Sequence, residues 1–120
     1  MTEFSGIKVL VVEDEGLVAM MIESALETLG CHLVSSVARV APALEIAGTA
    51  EIDVAVLDVN VNGQPIFPVA EVLRERGIPF LFSTGYGASA LPDAFSNYQV
   101  LNKPFSEEEL QHKIALALGA

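Results

Sequence analysis

The chain alternates short, almost uninterrupted apolar runs with longer segments whose apolar residues recur every three or four positions. Residues 7–12 (IKVLVV) predict a buried strand, and residues 16–29 a helix with Val18, Met21, Ile22, Ala25 and Leu29 on one face and Gly30 as its stop. Residues 32–37 predict a second strand, and residues 40–47 a helix that takes Pro42 in its first turn. The third strand, 52–57, is apolar apart from Asp53. After the Asn62-Gly63 break, residues 65–76 read as a helix that Gly77 ends, and 78–82 (IPFLF) as a fourth strand. Gly85, Gly87 and Pro92 leave 86–97 only a short or irregular helix, expected to be the least stable part of the chain. Residues 99–102 form a short fifth strand. Ser106-Glu-Glu-Glu109 is a capping box opening a last helix, with Leu110, Ile114, Ala117 and Leu118 inward.

Strands that are apolar on every residue are buried on both faces, so the sheet is expected to be parallel and covered by helices on both sides. Five repeats of strand then helix predict an α/β, doubly wound, five-stranded parallel sheet of the flavodoxin type, strand order 2-1-3-4-5. In that topology a ligand crevice opens at the carboxyl ends of strands one and three, where the winding direction reverses.

That rule collects the charged residues. Glu13 and Asp14 follow the first strand, and Asp58 ends the third. Two like charges about 5 Å apart repel by roughly 3 kcal/mol at an effective dielectric near 20, or about two pKa units. A hard divalent cation relieves that repulsion, and oxygen ligands with an incomplete shell suit Mg²⁺. The fifth strand delivers the ammonium of Lys103 to the same edge. The fourth delivers the hydroxyl of Thr84 and, at Gly85, an open backbone N–H. A carboxylate, a divalent cation, an ammonium and neutral donors around one point are what phosphoryl transfer requires, with Asp58 as the nucleophile.

Composition narrows the setting. With sixteen acids against six bases and a net charge of −10, the chain is not expected to bind nucleic acid or an anionic membrane directly. One cysteine, Cys31, cannot form an internal disulfide, and there is neither a membrane-length apolar run nor a signal-peptide pattern, so a cytoplasmic setting is expected. Residues 1–120 read as a single domain, and Met1 and the helical finish favour a complete chain.

With these residues assembled, the chain resembles the receiver domains of bacterial two-component response regulators, the CheY-like family, over residues 7–118. The carrying motifs are VLVVEDE with Glu13 and Asp14, VLDVNVNG with Asp58, Thr84 after the fourth strand, and Lys103-Pro104-Phe105. The resemblance implies that Asp58 is the phosphoacceptor, and that Asp14, Asp58 and the carbonyl of Asn60 hold Mg²⁺, with Glu13 helping through water. It implies that Thr84, Lys103 and the amides of Asn60 and Gly85 bind the phosphoryl group, and that the bond before Pro104 is cis. It also implies partners: a sensor histidine kinase or histidine phosphotransfer protein, and a downstream protein reached by contact. The chain departs from the commoner pattern at Glu13, where Asp is usual, and at 60–63, which lacks a proline after the acceptor. Val100 stands where many receivers carry a switch aromatic, which Tyr86 or Tyr98 could replace only by a different geometry. FLFSTGYG at 80–87 with GQPIFPVAEVLRERGIPF looks like the single-domain subgroup named for a Phe-Ala-Thr-Gly run (FATGUY), with Ser83 in place of its Ala, whose members work with kinases of the HWE and related classes.

Simpler roles compete. Asp58 could cap a turn, Glu13 and Asp14 could be solvated acids near a helix start, and Thr84 could bond only locally. His32 and His112 have no activating neighbour in sequence, and Cys31 reads as a small packing residue. A dehalogenase-like phosphatase would need a second acid where Asn60 stands, and a nucleotide module would need a phosphate loop in place of the acidic turn after strand one. A receiver-like adaptor that works without phosphorylation is the alternative function.

Overall fold

In the computed structural model, which describes residues 4–86 and 91–119, the apolar runs become the parallel strands β1 (Lys8–Val12), β2 (His32–Val37), β3 (Val54–Asp58), β6 (Phe80–Thr84) and β7 (Val100–Asn102). Their order in the sheet is β2-β1-β3-β6-β7, the predicted winding. The helices are α1 (Gly16–Leu29), α2 (Val40–Thr49) and α3 (Phe67–Glu75), each between two of these strands, and α4 (Glu107–Ala117), which follows the last strand. A separate two-stranded antiparallel ribbon, β4 (Asn60–Val61) and β5 (Gln64–Pro65), lies between β3 and α3.

Why the central strands β1, β3 and β6 are mostly continuous apolar runs is plain from where their side chains go. Leu10, Val12, Ala55, Leu57, Phe80 and Phe82 point into one core with α2 and α3, alongside Ala43, Ala47, Val69 and Leu73. Their alternates, Val9, Val11, Val54, Val56 and Leu81, point into a second core with Ile22 and Leu26 of α1 and Leu110 and Ile114 of α4. Each fully buried aliphatic of this kind contributes about 1.5–3 kcal/mol over its exposed state. Asp53, the polar exception in the predicted third strand, sits just before β3, where its carboxylate accepts the Lys8 N–H at 2.8 Å and closes the rim opposite the acids.

Local signals hold at several ends. Gly30 stops α1 with φ +84, a left-handed angle that glycine adopts without penalty. Ser106 and Glu109 form the reciprocal capping box of α4. Other boundaries moved. Pro65 belongs to the ribbon and not to α3, because Asn62 (φ +52) and Gly63 (φ +81) make a two-residue hairpin turn instead of a simple break. On α1 the buried residues are Ala19, Ile22, Ala25 and Leu26, while Val18, Met21 and Leu29 are only half covered. Of the uncertain 86–97 segment, residues 87–90 lie outside the described residues. The remainder carries only a 3-10 turn, Asp93–Phe95. That turn is held by aromatic packing. Phe95 is buried, Phe67 stacks on it at 5.6 Å, Tyr98 stacks on Phe80 at 4.3 Å, and the Arg74 guanidinium lies 4.6 Å over the Phe95 ring.

Candidate functional site

β1, β3, β6 and β7 end at one rim, and the residues just past those ends line a cavity of about 550 Å³ that includes Asp14, Asp58, Asn60, Thr84, Gly85 and Lys103. The five-residue strands β1, β3 and β6 are in parallel register, so their carboxyl ends arrive together. Lys103, directly after β7, is tied to the end of β6 by its N–H donating to the Thr84 carbonyl at 2.9 Å. Its peptide bond to Pro104 is cis.

Three carboxylates meet there. Oxygens of Glu13, Asp14 and Asp58 lie within 4.8 Å of one another. Glu13 and Asp58 are buried, whereas Asp14 is exposed. The Lys103 ammonium stands 2.9 Å from Glu13 Oε1 and 3.4 Å from Asp58 Oδ2, with the exposed Glu15 carboxylate 3.9 Å away. Glu13 Oε2 accepts the Glu15 N–H at 3.1 Å, so both oxygens of that side chain are engaged. Asp58 Oδ1 faces the Asn60 N–H at 3.4 Å, and Asp14 Oδ2 accepts the Asn62 N–H at 2.8 Å.

The electrostatics follow from burial. Burial, and then Glu13 beside it, pushes the Asp58 carboxyl up to about 7 against the opposing pull of Lys103. Burial alone would lower the Lys103 pKa, but the Glu13 and Asp58 carboxylates outweigh it and the net shift is upward. Asp14 moves the other way: its slight burial is outweighed by the hydrogen bond from Asn62, and it is held below the usual carboxylate value. The oxygen-only donor set, the repulsion expressed at Asp58 and the open side of the cavity fit a hard divalent cation of the Mg²⁺ kind.

The sequence-derived residues Glu13, Asp14, Asp58, Asn60, Thr84, Gly85 and Lys103 are thus brought together. Thr84 is buried, and its Oγ1 accepts the Tyr86 N–H at 3.0 Å. Gly85 is exposed, and among the described residues nothing beyond its chain neighbours lies within 4 Å of where a Cβ would stand. Tyr98 is packed in the aromatic cluster away from the carboxylates, and Val100 is half-buried opposite Phe82 in the sheet. Sequence reasoning missed Asn62 and Glu15. The Asn-Gly pair was the signal for Asn62, and Glu15 had none beyond its adjacency to the acidic pair.

Residues 9–115 match the response regulator receiver domain family. Transcriptional regulatory protein TcrA of Mycobacterium tuberculosis is 34% identical over 113 residues, which is 88% of this chain and 44% of that protein. The chain therefore spans less than half the length of that relative. The solution structure of SdrG from Sphingomonas melonis Fr1 is 41% identical, covers 94% of this chain and 97% of its own, and superposes with a TM-score of 0.84. The receiver domain of sensor histidine kinase PA1611 from Pseudomonas aeruginosa PAO1, solved with a magnesium ion coordinated in its active-site cleft, is 25% identical, covers 97% of this chain and 100% of its own, and has a TM-score of 0.78. The chain belongs to the response regulator receiver domain family of two-component signalling, in which phosphorylation on aspartate is typical.

Proposed function

We propose that this receiver domain, acting as one unit over residues 1–120, takes a phosphoryl group on Asp58 from a histidine kinase or a histidine phosphotransfer protein and signals by protein contact. The observation that carries the reading is Asp58 itself: a buried carboxylate facing an open cavity, 3.4 Å from an ammonium and beside two more carboxylates.

In the transfer an Asp58 carboxylate oxygen attacks the phosphorus of a phosphohistidine. The new P–O bond forms as the P–N bond breaks, and the electron pair stays on the imidazole nitrogen, which then takes a proton. Lys103, released from Glu13 and Asp58, offers its ammonium to the phosphoryl oxygens. The Thr84 hydroxyl and the amides of Asn60 and Gly85 supply neutral donors. Glu13, Asp14, Asp58 and the Asn60 carbonyl would hold Mg²⁺, which when bound neutralises carboxylate and phosphoryl charge; the magnesium in the PA1611 receiver supports this. FLFSTGY at 80–86, which differs from the FATGUY pattern by Ser83 in place of Ala, supports a kinase of the HWE or a related class as donor, and the proposed setting is the cytoplasm.

Incubation with Mg²⁺ and acetyl phosphate is expected to add one phosphoryl group by intact mass, and Asp58→Asn to abolish the gain. No gain by the native chain, or an undiminished gain by the variant, rejects the reading. Partner binding indifferent both to the donor and to Asp58→Asn selects a phosphorylation-independent adaptor instead.

A further inference from the structure

We propose that the β4–β5 ribbon is a positioning element for the cation site, acting through the main-chain N–H of Asn62 on the Asp14 carboxylate. This rests on the Mg²⁺-dependent reading above and assigns a role to residues outside the acidic cluster.

Two of the three acids need no help. Glu13 is buried and engaged by Lys103 and the Glu15 N–H, and Asp58 is buried at the end of a central strand and paired with Lys103. Asp14 is exposed on the turn after β1, where a short carboxylate is free to take several rotamers. A hydrogen bond from 48 positions along the chain, the Asn62 N–H on Oδ2 at 2.8 Å, ties it to the ribbon.

That N–H reaches Asp14 because of the turn. Asn62 and Gly63 both have left-handed φ angles, +52 and +81, as a two-residue hairpin requires. Val61, fully buried, roots the ribbon in the core, and at its base the Asn60 N–H faces Asp58 Oδ1 at 3.4 Å. One six-residue ribbon therefore addresses the acids on both sides of the cavity and also carries the Asn60 carbonyl. Its geometry sets the separation between Asp14 and Asp58. Gly63 isolates this effect: among the described residues nothing beyond its chain neighbours lies within 4 Å of a Cβ built there, so a substitution acts through the backbone angle and not through a clash. Asparagine tolerates the left-handed region, and a β-branched residue does not.

The test compares the native chain, Gly63→Val and Gly63→Asn. Mg²⁺ affinity would be measured by calorimetry, Asn62 amide exchange by NMR, and acetyl phosphate labelling at limiting and saturating Mg²⁺. Gly63→Val is expected to weaken Mg²⁺ about tenfold, the usual size of a loss beyond the ligands themselves. It should speed Asn62 exchange and slow labelling at limiting Mg²⁺, with recovery at saturation. Gly63→Asn should stay within about twofold of native in Mg²⁺ affinity, since its turn is kept. Native Mg²⁺ affinity in Gly63→Val, or equal weakening by Val and Asn, overturns the proposal. A native chain that binds no Mg²⁺ and takes no phosphoryl group would reject the underlying reading instead.

Discussion

The Lys103 ammonium sits closer to Glu13 than to Asp58, 2.9 Å against 3.4 Å. A glutamate is one methylene longer than an aspartate, and from the end of β1 that extra reach brings its carboxylate onto the ammonium. The lysine is therefore shared, and both buried acids depend on it. Lys103→Met is expected to destabilise the metal-free protein by about 3 kcal/mol at pH 8, because it leaves buried charge uncompensated. The loss should shrink at pH 5, where Asp58 can carry a proton. Urea denaturation at the two pH values measures it, and an equal loss at both would refute the account.

Asp58 sets the pH dependence of the metal-free form. Its folded pKa, about 7, stands above its unfolded one, so between those values the folded state binds more protons and stability falls as pH rises. Lys103, also raised, contributes stability that is fully present below its unfolded pKa and is lost only as pH climbs through its higher folded value. Asp14, lowered, contributes stability above its unfolded pKa that is lost as pH falls through its folded value. Asp58→Asn should remove the decline between about pH 4 and 7. In melting curves without metal it should lie above the native protein at pH 8 and approach it at pH 5.

Metal and proton compete at this site, so Mg²⁺ should raise the melting temperature more at pH 8 than at pH 5. At a hundred times its dissociation constant the gain is about 2.7 kcal/mol. Chelation should reverse it. A Mg²⁺ effect independent of pH would show that the ion binds elsewhere.

Ser83 is buried, and its hydroxyl has no hydrogen-bond partner among the described residues. Such a hydroxyl costs roughly 1–3 kcal/mol when left unpaired. Ser83→Ala should therefore leave the protein as stable or up to about 1 kcal/mol more stable. A clear loss in denaturant midpoint would reveal a partner for that hydroxyl.

Phe95 anchors the chain between β6 and β7. Phe95→Ala should cost about 3–5 kcal/mol, as large aromatic deletions do. The Phe95, Ser96 and Tyr98 amides, which donate to the Pro92, Asp93 and Phe95 carbonyls, should be protected from exchange and lose that protection in the variant. Fast exchange of all three in the native protein would contradict the packing.

The sequence made the sheet and the meeting of Glu13, Asp14, Asp58 and Lys103 legible for one reason. Apolar runs such as VLVV force a parallel sheet, and a parallel sheet sends every carboxyl end to the same rim. What stayed hidden depends on contacts without a period. Two-residue strands such as Asn60–Val61 have no alternation to read. Which flank of α1 is buried was blurred because Val18, Ala19, Met21, Ile22 and Leu26 are all apolar. The stacking of Tyr98 on Phe80 joins residues whose partnership only the fold creates. The partition of Lys103 between two acids turns on side-chain length, which strand topology does not specify.

The rim closed by Asp53 and the Lys8 N–H lies a full strand away from the acids, about 16 Å for five residues at the usual rise. Dyes, surface tethers or fused reporters attached around Glu51 and Gly77 would thus hang from the base of the molecule while its mouth stays open to docking partners. The two ends of the sheet can be engineered independently.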